Sequence, residues 1–108
     1  MKIAKAGKHT LGVAALRARV DARIAVYAQK FPHLNIAEHY KWLDDRHVRA
    51  EYRGGVADVT IGEDEVMLVL DLPFFARVYR GKITDFAQRE IDVVTQAEHD
   101  PASASGSL

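Results

Sequence analysis

No cysteine occurs in the 108 residues, so a disulfide framework and thiol chemistry are both excluded, which agrees with a reducing compartment. No stretch approaches the ~20 consecutive apolar residues that a membrane span needs, and the N-terminus lacks the hydrophobic core of a signal peptide. The expected location is therefore the cytoplasm. Net charge is also missing, with a formal value of +0. The five histidines (His9, His33, His39, His47, His99) form no His-x-His or His-Glu-x-x-His pattern, so no metal or cofactor site is expected. Glu63-Asp64-Glu65 is acidic but too short for a calcium loop. Gly54-Gly55 opens no helix and so cradles no phosphate.

What the chain does have is the balance of a soluble globular domain: 48% apolar and 28% charged residues. Its length suffices for one core, and residues 1–97 are expected to form one domain. Charge is unevenly placed. Residues 1–37 carry seven Lys/Arg against Asp21 alone, and the acidic surplus lies in the remainder. That basic third could meet a phosphate backbone, but the acidic remainder opposes it and no exposed aromatic strand accompanies it. A nucleic-acid partner is not expected.

Residues 40–72 organise the chain. Alternating apolar residues predict an antiparallel meander of four strands, 40–43, 47–53, 56–61 and 66–71. A two-residue turn at Gly54-Gly55 sets Arg53 opposite Val56, Tyr52 opposite Ala57, Ala50 opposite Val59 and Val48 opposite Ile61. On that register Glu51 faces Asp58, a mildly unfavourable pair. A four-residue loop sets Ile61 against Val66, Val59 against Leu68 and Ala57 against Leu70. A three-residue loop at Asp44-Asp45-Arg46 sets Trp42 against Val48 and Tyr40 against Ala50, with His39 opposite Glu51 and His47 opposite Leu43. One face then carries Tyr40, Trp42, Val48, Ala50, Tyr52, Ala57, Val59, Ile61, Val66, Leu68 and Leu70. That is the core face, with Trp42 and the Val66/Leu68/Leu70 row expected at its centre.

Met1–Lys8 fits either a disordered tail or a short edge strand blocked by lysine. Thr10 can cap a helix beginning near Leu11, along which Leu16, Val20, Ile24, Tyr27 and Phe31 share a stripe; Pro32 stops it. Asp71-Leu72-Pro73 signals a second helix over Phe74–Gln96. Its stripe runs through Phe75, Val78, Tyr79, Ile83, Phe86, Ala87, Ile91 and Val94, and Gly81 marks a kink or a split. Residues 98–108 read as a disordered tail. The fold class is α+β, a four-stranded meander with both helices on the Trp42 face.

Two surfaces stand out. On the outer face of the sheet Val56, Thr60, Met67 and Val69 are apolar or neutral where their neighbours are charged, which marks a contact patch for a second copy or another partner. The alternative is a small apolar ligand in a pocket near Trp42, Tyr52 and Phe75, between sheet and helices. No nucleophile sits beside a base, so catalysis is not expected.

The chain resembles the polyhydroxyalkanoic acid system proteins, also called polyhydroxyalkanoate granule region proteins. The matching residues are His9-Thr-Leu-Gly12, Tyr40-Lys-Trp42, Val48-Arg-Ala-Glu-Tyr-Arg-Gly54, the Gly55-Val56 step, the alternating Val66–Leu72 strand and the spaced Ile83…Ile91 pattern. Pro73 and Phe74 depart from the family pattern. The resemblance covers roughly residues 9–95 and implies a bacterial, non-enzymatic accessory protein of polyhydroxyalkanoate storage. Its implied partners are the granule surface or a granule-associated protein, with a homodimer as a further option. It carries over no catalytic residue.

Overall fold

The computed structural model describes residues 1–96. The tail expected over 98–108 lies outside the described residues. Strand β1 (Lys2–Lys8) leads into helix α1 (Val13–Lys30), and two single 3-10 turns, Pro32–Leu34 and Ile36–Glu38, follow. Strands β2 (Tyr40–Asp44), β3 (His47–Tyr52), β4 (Gly55–Ile61) and β5 (Glu65–Asp71) come next. A 3-10 segment, Phe74–Tyr79, then runs into helix α2 (Arg80–Thr95).

The sheet has five strands, not four, in the order β1-β5-β4-β3-β2. The meander is as expected, and the basic N-terminal segment is a strand of it, antiparallel to β5 from Lys2↔Asp71 to Lys8↔Glu65. Pairing with β1 makes β5 an interior strand but covers only its edge: Val66, Leu68 and Leu70 are buried beneath the helices, while Met67 on the other face stays exposed. Lysines 2, 5 and 8 lie along the exposed edge, where charge discourages pairing with another sheet.

Two of the three expected registers hold. Tyr40↔Ala50 and Trp42↔Val48 join β2 to β3, and Ile61↔Val66, Val59↔Leu68 and Ala57↔Leu70 join β4 to β5. An irregularity after Trp42 pairs His47 with Asp44 and not with Leu43. The central hairpin differs by two residues. Its turn is Arg53-Gly54, both at positive φ (49° and 84°), so Tyr52 faces Gly55, Ala50 faces Ala57 and Val48 faces Val59. Holding Arg53 in the left-handed region costs ~1–2 kcal/mol. In return Arg49 stands opposite Asp58, where the expected register set Glu51 against Asp58 and two carboxylates would have repelled. An even shift leaves every side chain on its predicted face.

Both helices lie on the Trp42 face and close one core of Ile3, Leu16, Ile61, Val66, Leu68, Leu70, Ala87, Ile91 and Val94. Gly7 lets α2 press onto β1, since a Cβ there would stand 2.6 Å from Ile91 Cγ2. The Val66/Leu68/Leu70 row is central, as expected. Trp42 is only half-buried at the margin; its Nε1–H donates to Asp21 at 2.8 Å and the Arg17 guanidinium stacks 4.3 Å above its ring. Thr10 caps nothing: α1 starts after Gly12 without a side-chain cap. The preceding corner is instead fixed by buried His9, whose Nδ1 accepts from the Leu11 N–H at 3.3 Å. That leaves Nε2 as the donor to the Gly62 carbonyl at 2.9 Å, clamping β1 to the β4–β5 turn. No described helix is long and apolar enough to cross a membrane.

Candidate functional site

The most unusual surface lies where β5 hands over to α2. Pro73 fixes an extended step (φ −56°, ψ 149°), and its carbonyl accepts from the Ala76 N–H at 2.9 Å, opening the 3-10 segment Phe74–Tyr79. In a 3-10 helix side chains at i and i+3 eclipse, so Phe75 and Val78 share one face, and that face is turned to solvent. The expected inward stripe therefore fails at Phe75, Val78 and Tyr79. Ile83, Phe86, Ala87, Ile91 and Val94, inside α2 proper, do turn inward. Phe74 (72% exposed), Phe75 (66%), Val78 (73%) and Tyr79 (59%) instead face solvent on one short segment. The Phe74 and Phe75 rings pack edge-to-face with centroids 6.4 Å apart. Arg77 reaches over the Phe74 ring. The β3–β4 turn buttresses the entry, since a Cβ on Gly54 would lie 3.6 Å from Pro73. The signal was present in the sequence as a dense apolar run, but nothing in the run told which way it faces.

The outer-face patch is partly assembled. Thr60 and Met67 are direct cross-strand partners, and Val69 follows on the same face beside Ala4 of β1, with Ala6 beside Met67. Val56 lies farther along β4, opposite Asp71, and Asp58 stands between it and Thr60. Met67 and Thr60 are exposed, and Val56 and Val69 are half-buried. The β1 strand extends this face sideways by pairing in plane.

Asp58 gathers a small charged cluster. His47 Nε2 lies 2.7 Å from its Oδ1, and Arg49 reaches Oδ1 through Nε at 2.8 Å and Oδ2 through Nη2 at 3.4 Å. The Arg49 guanidinium, with His47 helping, holds the Asp58 carboxyl below its usual range. His39 is elsewhere: its carbonyl accepts from Glu51 N–H, and its ring packs against Tyr52. Among the described residues no three His, Asp or Glu side chains are placed to hold a metal.

A cavity of about 190 Å³ lies between the helices and the sheet. Its floor includes Val48, Ala50, Ala57 and Val59, with Ala50 directly opposite Ala57, so two methyl groups stand where large side chains would reach the helices. Ile24, Tyr27 and Phe86 wall it. At its rim the buried Arg23 pairs with Glu90. Trp42, Tyr52 and Phe75 are not among the lining residues: Trp42 packs with α1, Tyr52 beside His39, and Phe75 in solvent.

Comparison with curated proteins and with solved structures returned no match. Residues 3–94 match the family described as "Putative polyhydroxyalkanoic acid system protein". With nearly the whole described fold inside that match, from β1 to the last turn of α2, the chain belongs to the polyhydroxyalkanoic acid system protein family.

Proposed function

We propose that this protein is a non-enzymatic accessory of polyhydroxyalkanoate storage that works in the cytoplasm by associating with the granule surface. The observation that carries this reading is the set Phe74, Phe75, Val78 and Tyr79, four large apolar side chains presented to solvent by six consecutive residues. Contiguous exposed apolar groups mark interaction sites, and burying each should contribute ~1.5–3 kcal/mol. A non-catalytic role fits the polar clusters: Arg23 pairs with Glu90, and Asp58 takes Arg49 and His47, with no Ser, Thr or Tyr hydroxyl bonded to that histidine among the described residues. The patch of Val56, Thr60, Met67 and Val69 supplies a second contact, for another copy or a granule-associated protein. The test is co-sedimentation with isolated granules of wild type and of F74S/F75S/V78S. Association should fall at least about tenfold, the factor set by ~1.4 kcal/mol. Equal partition by a folded variant would sink the reading.

The cavity favours a second reading, a domain that takes a small apolar ligand. Its volume of about 190 Å³ exceeds the ~150 Å³ at which an apolar cavity stays dry and admits benzene. It falls short of the ~300–1,000 Å³ of drug-sized sites. The occupant would therefore be small and hydrocarbon-like.

A further inference from the structure

The charges around the exposed segment indicate what kind of surface it fits. Between Asp71 and Asp85 the chain carries Arg77, Arg80 and Lys82 and no acidic residue. Arg53, in the turn whose Gly54 lies against Pro73, brings a fourth cation to the same end of the sheet. Arg77 Cζ stands 5.7 Å from the Phe74 ring centroid, so a cation and an apolar face are presented together. Tyr79 adds a ring with a polar tip, the combination that settles at a lipid–water boundary. A bare apolar polymer would match the rings but would strip water from the cations without compensation. A layer of anionic headgroups over acyl chains matches both.

We propose that Phe74–Lys82, together with Arg53, docks the protein on an anionic lipid surface. Phe74, Phe75 and Val78 enter the acyl boundary, while Arg53, Arg77, Arg80 and Lys82 meet headgroup phosphates. This rests on the surface-association reading above and names the surface chemistry. Each cation near such a surface strengthens binding by about fivefold, and salt weakens it.

The experiment is co-sedimentation of the full chain with three targets: phosphatidylcholine vesicles, phosphatidylcholine–phosphatidylglycerol vesicles, and lipid-free polyhydroxyalkanoate particles. Wild type, F74S/F75S and R77Q/R80Q/K82Q are compared, with circular dichroism confirming that each is folded. Wild type should bind the anionic vesicles at least tenfold more tightly than the neutral ones. R77Q/R80Q/K82Q should lose that preference, F74S/F75S should bind both kinds of vesicle at least tenfold more weakly, and added salt should reduce wild-type binding to the anionic vesicles. Equal binding to neutral and anionic vesicles overturns the proposal. Binding to lipid-free particles alone overturns it too, yet leaves granule association standing. Binding to none of the three removes both readings. If F74S/F75S changes the solution mass and leaves vesicle binding unaltered, the segment belongs to a second copy and the lipid proposal is again overturned.

Discussion

Arg23 and Glu90 join the two helices across the rim of the cavity, with Nε 2.6 Å from Oε1 and Nη2 3.0 Å from Oε2. Both side chains are almost withdrawn from solvent, at 8% and 13% exposure. Tyr27 completes the group, its hydroxyl 3.4 Å from Arg23 Nη2. Glu90 raises the Arg23 pKa above its ordinary value, and burial raises that of Tyr27, with Glu90 adding to it. Such a pair offsets its desolvation only while both members are present. Arg23→Met or Glu90→Leu alone should therefore cost ~3–5 kcal/mol, and the double variant should cost far less than their sum. Urea unfolding of the four proteins gives the coupling. A value below ~0.5 kcal/mol would mean that the two sites act independently.

The Ala50–Ala57 pair is the cause of the cavity, so enlarging one of them should remove it. Ala57→Leu should raise stability by ~0.5–2 kcal/mol, as cavity filling commonly does. Benzene should raise the melting temperature of the wild type and leave that of Ala57→Leu unchanged. A benzene shift that survives in the variant would place the site somewhere other than between Ala57 and the helices.

Acid should weaken the sheet through Asp58. Its folded pKa is lowered by Arg49 first and by His47 next, from an ordinary value of 3.8. A depressed carboxyl contributes stability that is present above the unfolded pKa and is lost as pH falls through the folded one. The loss should therefore begin near pH 3.8 and continue below it. Asp58→Asn should cost about 1 kcal/mol at neutral pH, as befits a pair that water still reaches, and should flatten the stability profile in that acid window. A variant whose acid limb parallels the wild type would remove Asp58 from the explanation.

Alternation was enough to read the four-stranded meander, because period two assigns a face to every residue once any turn is placed. It did not reach β1, which is short and rich in lysine, alanine and glycine and reads equally as a tail or an edge strand. Within the meander, alternation was even proof against a misplaced turn: moving the centre from Gly54-Gly55 to Arg53-Gly54 slid β3 by two residues and changed no face. The charge pairing of Arg49 with Asp58 could have chosen between the two registers. The site was less legible. Phe75, Val78 and Tyr79 fit a helical stripe that continues into Ile83, and nothing local to those residues distinguishes a 3-10 start from an α start. The cavity depended on Ala50 meeting Ala57, which the two-residue slip concealed. His9 illustrates a third limit, since its partner Gly62 lies 53 residues away and no spacing rule reaches that far.

The outer sheet face gives the last prediction. Met67 is 41% exposed and lies between Ala6 and Thr60, its partners on the flanking strands, with Val69 two residues along. Val66 and Leu68, its neighbours in sequence, are buried on the opposite face, so a charge at Met67 should spare the core. If this strip meets a second copy, a glutamate there must be desolvated against apolar groups on the partner, at a cost well above 1 kcal/mol. Met67→Glu should therefore weaken self-association by at least about tenfold. Sedimentation velocity over a dilution series reads this directly, as a shift to lower mass at matched concentration. Granule partition should change little, because Met67 lies near the start of β5 whereas Phe74 lies beyond its end. If Met67→Glu leaves the mass unaltered at every concentration, the strip is not a contact between copies. If it abolishes granule partition instead, the granule contact lies on the sheet and not on the aromatic segment.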